Sequence, residues 1–164
     1  MNIRICGLVN DSIVDGPGLR LTVFTQGCPH HCPGCHNPQS HSFEGGQLRD
    51  IDEILTMAKE NPLLDGITLS GGEPFCQPEA CAQIAVGAHI LGLNVWCYTG
   101  YSYENLLASK EKRALLEQVD ILVDGPFILE ERSLDIRFRG SKNQRIIDVK
   151  NSLLENRVVL SSLN

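Results

Sequence analysis

The residues most able to do chemistry are Cys28, Cys32 and Cys35, which follow one another at the spacing C-x3-C-x2-C in a loop of prolines, glycines and histidines. Thiolates this close together repel one another unless a cation or a cluster neutralises them, so the spacing indicates a metal centre. A structural zinc site or an ordinary iron–sulfur cluster takes four protein ligands, whereas three thiolates on a four-iron cluster leave one iron open. The loop therefore predicts a metal position that a substrate can reach.

A second stretch, Ser70-Gly71-Gly72-Glu73-Pro74, lets the backbone approach a ligand, because two adjacent glycines place no side chain in the way. Together with the cysteine spacing it resembles the radical S-adenosylmethionine enzymes. Asp15-Gly16-Pro17-Gly18-Leu19-Arg20 and Cys35-His36-Asn37-Pro38 narrow the resemblance to the activating enzymes of glycyl-radical enzymes. Within that family the chain is similar to the activases of anaerobic ribonucleoside-triphosphate reductase, over the segments 27–38, 95–101 and 123–127.

The resemblance implies two cofactors, a [4Fe-4S] cluster and S-adenosylmethionine. The cluster ligands it implies are Cys28, Cys32 and Cys35. The implied contacts with S-adenosylmethionine are Gly34, Cys35, His36, Gly71, Gly72, Glu73, Thr99 and Asp124. In the family, the backbone beside the last cysteine meets the adenine, the glycine turn holds the amino group, and the later strand ends are candidates for the carboxylate or the ribose hydroxyls. Gly34 stands where many radical enzymes carry an aromatic residue.

The activity that the resemblance implies is reductive cleavage of S-adenosylmethionine at the cluster. The resulting 5′-deoxyadenosyl radical would abstract a Cα hydrogen from a glycine of the reductase. The expected partners are the large subunit of anaerobic ribonucleoside-triphosphate reductase, as protein substrate, and an electron donor of the flavodoxin or ferredoxin type. Cleavage needs no general acid or base from the protein, which fits the lack of a Ser/His/Asp arrangement in the sequence.

Three other hypotheses stay open on the sequence. Four of the five histidines, His30, His31, His36 and His41, lie near the cysteines, so a zinc site with mixed ligands is one rival. A non-catalytic iron–sulfur or zinc module that docks on a partner is another. The third keeps the radical chemistry but changes the substrate, to pyruvate formate-lyase or to a small molecule.

The composition is that of a globular protein: 164 residues, 42% hydrophobic and 21% charged. We expect one domain, 1–164, because the length suits a single core. A formal net charge of −6 gives no general attraction to nucleic acid or to an anionic membrane, and no membrane span or secretory signal is visible. Seven cysteines in such a chain indicate reduced thiols and a cytoplasmic protein.

Alternating or continuous apolar runs predict strands that end at the candidate site residues. The runs lie at 19–24, before the cysteines, at 66–70, before the glycine turn, at 94–98, before Thr99, and at 119–123, before Asp124. Apolar residues at helical spacing predict a helix after Asp50 or Asp52, a second helix over 79–91 that stops at Gly92, and a third that Ser102 caps and that carries Leu106, Leu107, Leu115 and Leu116. Residues 1–9 are expected to form an edge strand.

Repeated strand and helix units of this kind predict an α/β fold with a parallel sheet. A closed barrel of eight units takes about 250 residues, so we expect an open, partial (β/α) barrel of five or six units. Its open side could admit a segment of another protein. The turn from Asp15 to Arg20 and a basic tail with Arg137, Arg139 and Arg145 are candidates for its rim. Cys6, Cys76, Cys81 and Cys97 have no ligand spacing and are expected to be small buried residues.

Overall fold

The computed structural model describes residues 1–164 and contains one sheet of seven strands with five α-helices. The strands are β1 (Asn2–Ser12), β2 (Arg20–Thr25), β3 (Gln47–Asp50), β4 (Gly66–Gly71), β5 (Asn94–Tyr98), β6 (Ile121–Asp124) and β7 (Arg145–Asp148). The helices are α1 (Ile51–Glu60), α2 (Pro78–Ile90), α3 (Tyr103–Ala108), α4 (Lys110–Leu116) and α5 (Val149–Glu155). No helix is both long and apolar enough to cross a bilayer.

The sheet is mixed, with the strand order β3-β1-β2-β4-β5-β6-β7. The four central strands β2, β4, β5 and β6 are parallel, and β1, β3 and β7 pair antiparallel to their neighbours. The predicted α/β class is therefore confirmed. The prediction of five or six parallel units is too high, because both flanks of the sheet are built from antiparallel strands with no crossover helix between them. The barrel curvature stays a prediction.

The strand β3 was not predicted from the sequence, and its presence moves β1 away from the edge of the sheet. Residues Gln47–Asp50 pair with the outer side of β1, so β1 is not the edge strand that we expected. Gln-Leu-Arg-Asp has no apolar alternation, because an edge strand with both faces exposed needs none. The sheet edge is thus a short, polar strand.

The helices begin where the predicted caps place them. The Asp50 side chain accepts a hydrogen bond from the backbone of Asp52 at the start of α1, and the Ser102 hydroxyl caps α3. The third predicted helix is divided in two, because Ser109 leaves the helical conformation and its hydroxyl caps α4. Gly92 follows α2 with a φ of 79°, as expected of a glycine after a helix end.

The two faces of the sheet differ in character because strand residues alternate between them. One face, with Leu21, Val23, Ile67 and Leu69 among its residues, packs against α1, α2 and α4 in a core of 26 buried residues. The opposite face carries polar and aromatic side chains, including Thr22, Thr68, Ser70, Trp96 and Tyr98. This second face forms the floor of the largest cavity near the cysteine loop.

Arg20 links the amino-terminal ends of the parallel strands through buried hydrogen bonds. Its side chain is fully buried and donates to the Thr68 hydroxyl at 2.7 Å, the Asn94 side-chain oxygen at 2.6 Å and the Pro17 carbonyl at 3.0 Å. Burial lowers the pKa of this guanidinium to about 10. The prediction that the turn as far as Arg20 lies on the rim is therefore wrong for Arg20, which fixes the turn to β4 and β5 instead.

Candidate metal centre

A cavity of about 640 Å³ lies on the face of the sheet that the helices leave uncovered. It reaches the carboxyl ends of the parallel strands, where loops converge in α/β folds. Seven of the predicted site residues line it: Cys28, Cys32, Cys35, His36, Gly71, Gly72 and Thr99. Gly34, Glu73 and Asp124 do not.

The cysteine loop is anchored at both ends by main-chain hydrogen bonds. Gly27 N donates to the Ser40 carbonyl at 2.7 Å, and Cys28 N donates to the His41 carbonyl at 3.1 Å. Gly27 has a φ of 105°, which only glycine adopts readily. The end of β2 and the exit of the loop are therefore held side by side, and the three cysteines project from the segment between them.

Cys28 is buried, whereas Cys32 and Cys35 are half-buried. Burial is the main cause that raises the pKa of the Cys28 thiol to about 11, and the Glu73 carboxylate and the other two thiols act in the same direction. A nearby positive charge would favour the thiolate form of Cys28 against this effect of burial. The donor set therefore fits a bound cationic cluster.

The cavity wall carries unpaired polar atoms as well as the three thiols. No three His, Cys, Asp or Glu side chains are close enough together to share a single metal ion. Two buried polar atoms on the cavity wall, Nε2 of His41 and Nε of Arg139, have no hydrogen-bond partner in the protein. Unpaired buried polar atoms are uncommon, and on a cavity wall they fit a polar or charged guest.

The glycine turn packs directly on the cysteine loop. Gly72 N donates to the Thr25 carbonyl at 2.8 Å, and Glu73 N donates to the Gly27 carbonyl at 2.8 Å. Gly71 has a φ of 91°, whereas Gly72 lies outside the left-handed region. A Cβ added to Gly72 would collide with the carbonyl oxygens of Gly27 and Ser40 rather than enter the cavity. This glycine is therefore required by the close approach of two stretches of backbone.

The Glu73 side chain is bonded to protein groups and does not line the cavity. Its side chain is fully buried, and its carboxylate accepts from His30 Nε2 at 2.7 Å, Thr99 Oγ1 at 2.9 Å, Gly100 N at 2.8 Å and Phe75 N at 3.0 Å. These four bonds use the full accepting capacity of a carboxylate. In this arrangement the side chain has no free position for a cofactor contact, and the backbone N–H and carbonyl of Glu73 are bonded to Gly27 and Cys76.

Asp124 is likewise engaged by protein groups. Arg145 donates to both of its oxygens, at 3.0 and 2.6 Å, and Tyr103 N donates at 2.8 Å. The side chain is 2% exposed. It therefore ties β6 to β7 and to the start of α3, and it is not placed to meet a carboxylate or a ribose as we had expected.

Thr99 lies on the cavity wall and is 5% exposed. Its hydroxyl donates to Glu73 and accepts from Tyr101 N at 3.1 Å. Thr99 N donates to the Val123 carbonyl and Gly100 N donates to Glu73, so the groups of this strand end that remain for a ligand are the carbonyls of Thr99 and Gly100, two residues that border the cavity. Of the two residues predicted at the later strand ends, Thr99 lines the cavity and Asp124 does not, although its neighbour Gly125 does.

Gly34 and His36 flank Cys35 on the outer part of the loop. Gly34 is exposed with a φ of 75°, and a Cβ there would approach Leu129 Cδ1 at 2.8 Å. The ring of His36 lies 5.1 Å from that of Phe127. Aromatic and apolar groups from the segment after β6 thus cover this end of the loop, beside the position where we expect the adenine.

The other cysteines have separate environments. Cys81 and Cys97 are fully buried, and burial raises the pKa of both thiols. Cys6 and Cys76 are only partly buried, so the prediction that all four are core residues holds for two of them. Burial is also the main cause that raises the pKa of Cys76.

The basic tail is divided between three environments. Arg137 is exposed, Arg139 lines the cavity, and Arg145 is held by Asp124 and Glu104. Sequence reasoning named Asp15 and Arg139 only as candidates for the rim of the open side, whereas both line the cavity that holds the cysteines. The inward side chains of β2, β4 and β5 could have been found from strand alternation, as the set that alternates with Leu21, Leu69 and Cys97. No periodicity points to Arg139.

Comparison with known proteins places the chain in a family. Residues 14–147 match the family described as a 4Fe-4S single cluster domain. The chain is 36% identical to the anaerobic ribonucleoside-triphosphate reductase-activating protein of Haemophilus influenzae over 82% of this chain and 90% of that protein. Proteins of the same name from Escherichia coli K12 and bacteriophage T4 are 33% and 32% identical, over 80% and 81% of this chain and 90% and 86% of theirs.

Among solved structures, QueE from Escherichia coli covers 61% of this chain and 53% of its own, with a TM-score of 0.49 and 13% identity, a likeness too slight to carry an argument. The sequence relatives match 86–90% of their own length, and the family match over residues 14–147 spans the cysteine loop and the glycine turn. The chain therefore belongs to the family of anaerobic ribonucleoside-triphosphate reductase-activating proteins and contains its 4Fe-4S single cluster domain.

Proposed function

We propose that this chain activates an anaerobic ribonucleoside-triphosphate reductase by generating a glycyl radical on it, through reductive cleavage of S-adenosylmethionine at a [4Fe-4S] cluster. The observation that carries the proposal is the placement of Cys28, Cys32 and Cys35 on one cavity wall with the Gly71–Gly72 turn. Family membership supports the reductase as the protein substrate. Cys28, Cys32 and Cys35 would hold the cluster, which would supply the one-electron reduction that this cleavage requires.

The chain's own residues would act by binding and positioning. The three thiols would hold the cluster through three irons and leave the fourth accessible. The backbone at Gly71, Gly72 and Gly100 borders the cavity without side chains, so carbonyl groups there can accept from an ammonium group. Tyr98, Phe127 and Phe138 line other parts of the wall and would exclude water from a reactive radical.

The cavity is open on one side, which supports entry by a segment of another protein. It is bordered there by Val14 and Asp15, from the connection between β1 and β2, and by the stretch from Phe138 to Gly140. We propose that a glycine-bearing loop of the reductase's large subunit enters between these borders. The electron would come from a separate donor of the flavodoxin or ferredoxin type, as the family resemblance implies.

The test is anaerobic reconstitution with iron and sulfide, followed by dithionite and S-adenosylmethionine. We expect about four irons and four sulfides per chain, release of methionine, and a glycyl doublet in the electron paramagnetic resonance spectrum when the reductase is present. A doublet on pyruvate formate-lyase but none on the reductase would redirect the activity to another glycyl-radical enzyme. Iron without methionine release, or zinc in place of iron, would leave a non-catalytic binding module.

A further inference from the structure

Arg139 is the only lysine or arginine on the wall of the site cavity. Its Nε is buried without a hydrogen-bond partner, and its Nη1 donates to the Gln144 carbonyl at 3.0 Å. A guanidinium carries five N–H donors in a planar fork. Most of these donors therefore remain available to a guest in the cavity, and at least one is already removed from water.

The loop that carries Arg139 is held rigidly against the end of β6. The Gln144 side chain accepts from Gly140 N at 2.8 Å and donates to the Gly125 carbonyl at 3.0 Å. Asn143 Nδ2 donates to the Pro126 carbonyl at 2.8 Å. Side-chain amides thus replace the regular hydrogen bonds that this irregular segment lacks, and they fix the position of residue 139 relative to the strand end.

Phe138 turns the chain so that the two neighbouring arginines diverge. It is a bulky residue with a φ of 66°, a conformation that such residues seldom adopt. Its ring packs on Trp96 at a centroid distance of 5.3 Å, and the guanidinium of Arg137 lies 4.8 Å from the ring centroid. Arg137 is directed to solvent while Arg139 faces the cavity. Strain of this kind is retained where the surroundings over-determine it, often at binding sites.

We propose that Arg139 binds the carboxylate of the methionine part of S-adenosylmethionine. This inference rests on the proposed function, and it assigns a cofactor contact to a residue outside the cysteine loop and the glycine turn. A buried guanidinium is best compensated by a carboxylate, with which it forms paired, charge-assisted hydrogen bonds. The carboxylate is the one anionic group of S-adenosylmethionine. An entering peptide segment offers neutral backbone carbonyls, which compensate a desolvated cation less well.

The test compares two ligands on two variants. Anaerobic equilibrium dialysis of the cluster-loaded protein measures the affinities for S-adenosylmethionine and for its decarboxylated form. Arg139→Gln is expected to weaken binding of S-adenosylmethionine by about 10- to 100-fold, the range for a hydrogen bond to a charged group. Because the decarboxylated ligand has no partner for Arg139, its affinity should change little, and the preference between the ligands should shrink by the same factor. Arg137→Gln, which removes the exposed neighbour, should leave both affinities unchanged.

A second measurement needs no variant. Phenylglyoxal modifies accessible arginines, and mass spectrometry of peptides reports the rate at Arg139 in the native protein. S-adenosylmethionine should protect Arg139, whereas the decarboxylated ligand at equal occupancy should not. Equal protection by both ligands, or an unchanged preference in Arg139→Gln, would overturn the proposal.

The experiment distinguishes a failure of the role of Arg139 from a failure of the proposed function. If Arg139→Gln kept its ligand preference but lost affinity for the reductase, Arg139 would belong to the protein interface, and the proposed function would stand. If the wild-type protein, loaded with its cluster, bound neither ligand, the proposed function would fail and the assignment of Arg139 with it.

Discussion

The imidazole Nε2 of His30 lies 2.7 Å from Oε1 of Glu73, and this contact joins the cysteine loop to the turn that follows β4. His30 stands between Cys28 and Cys32, and its ring also packs on Tyr101 at a centroid distance of 4.6 Å. Glu73 in turn binds Thr99 and Gly100 at the end of β5. One buried carboxylate therefore sets the position of the loop relative to two strand ends.

We predict that His30→Ala loosens this loop. Removal of a hydrogen bond to a buried charged group should lower the free energy of unfolding by about 1.5–3 kcal/mol, measured by urea titration. The iron bound after anaerobic reconstitution should fall as well. The matched control is His31→Ala, because His31 is exposed and makes no side-chain hydrogen bond. Equal effects of the two substitutions would show that the contact with Glu73 does not hold the loop.

Cys28, Cys32 and Cys35 are expected to be individually necessary for the cluster. Replacement of any one by Ala leaves two thiolate anchors, so the brown absorbance and S-adenosylmethionine cleavage should be lost. Cys81→Ala should retain both, with a packing loss of about 1 kcal/mol because the thiol is fully buried in the core. If Cys81 proved as necessary as Cys32, the ligand set would have to be revised.

Gly72→Ala should damage the cysteine loop itself. The added methyl group meets the carbonyl oxygens of Gly27 and Ser40, so the two backbones must separate. Overpacking of this kind typically costs about 1–3 kcal/mol, and we expect reduced iron binding together with weaker binding of S-adenosylmethionine. Gly7→Ala is the control, since a Cβ at Gly7 meets nothing within 4 Å. A Gly72→Ala protein with full iron content would show that the loop tolerates the shift.

Arg145→Gln should destabilise the protein far more than an exposed arginine would. The buried carboxylate of Asp124 would lose its bidentate partner, and breaking a buried pair from one side costs about 3 kcal/mol or more. Arg113→Gln breaks an exposed pair with Glu117 and should cost about 0.5 kcal/mol or less. Urea unfolding of the two variants measures both losses of stability. Similar unfolding midpoints for Arg145→Gln and Arg113→Gln would contradict a structural role for Arg145.

The same arginine predicts a pH effect. Hydrogen bonding to Arg145 lowers the pKa of Glu104 below its ordinary value of 4.5. A carboxyl group whose pKa is lower in the folded state adds stability above its unfolded pKa and loses it as the pH falls through the folded pKa. We therefore expect the stability of the wild type to decline more steeply below pH 4.5 than that of Arg145→Gln. Because Glu104 is largely exposed, the difference should be below about 1 kcal/mol. Parallel pH profiles would contradict it.

Local sequence signals predicted the central fold well. The runs before the cysteines, the glycine turn, Thr99 and Asp124 all form strands, and Asp50 and Ser102 cap helices as expected. These elements are signalled by neighbouring residues, through apolar alternation and capping. The β3 strand and the division between α3 and α4 were missed, because an exposed edge needs no apolar pattern and Ser109 gave no stronger signal than other serines.

The hydrogen-bond partners of the side chains in the site could not be predicted from the sequence. The resemblance pointed to the stretch around Glu73, but it could not show that the carboxylate would be used up by His30, Thr99 and two backbone groups. The Asp124 carboxylate is likewise engaged, by Arg145, which follows it in the sequence only after a long irregular segment. Contacts between residues far apart in sequence depend on how the loops fold back, and no local pattern encodes that.

The main-chain bonds at the base of the cysteine loop bear on how the protein matures. Gly27 and Cys28 pair with Ser40 and His41, and Glu73 N holds Gly27, so both ends of the loop are fixed by groups that need no metal. Most of the entropy of closing a loop of this length is therefore spent when the sheet forms. Iron and sulfide would meet a chain that is already folded, and cluster loading would be a late step of maturation that can be repeated on the same molecule.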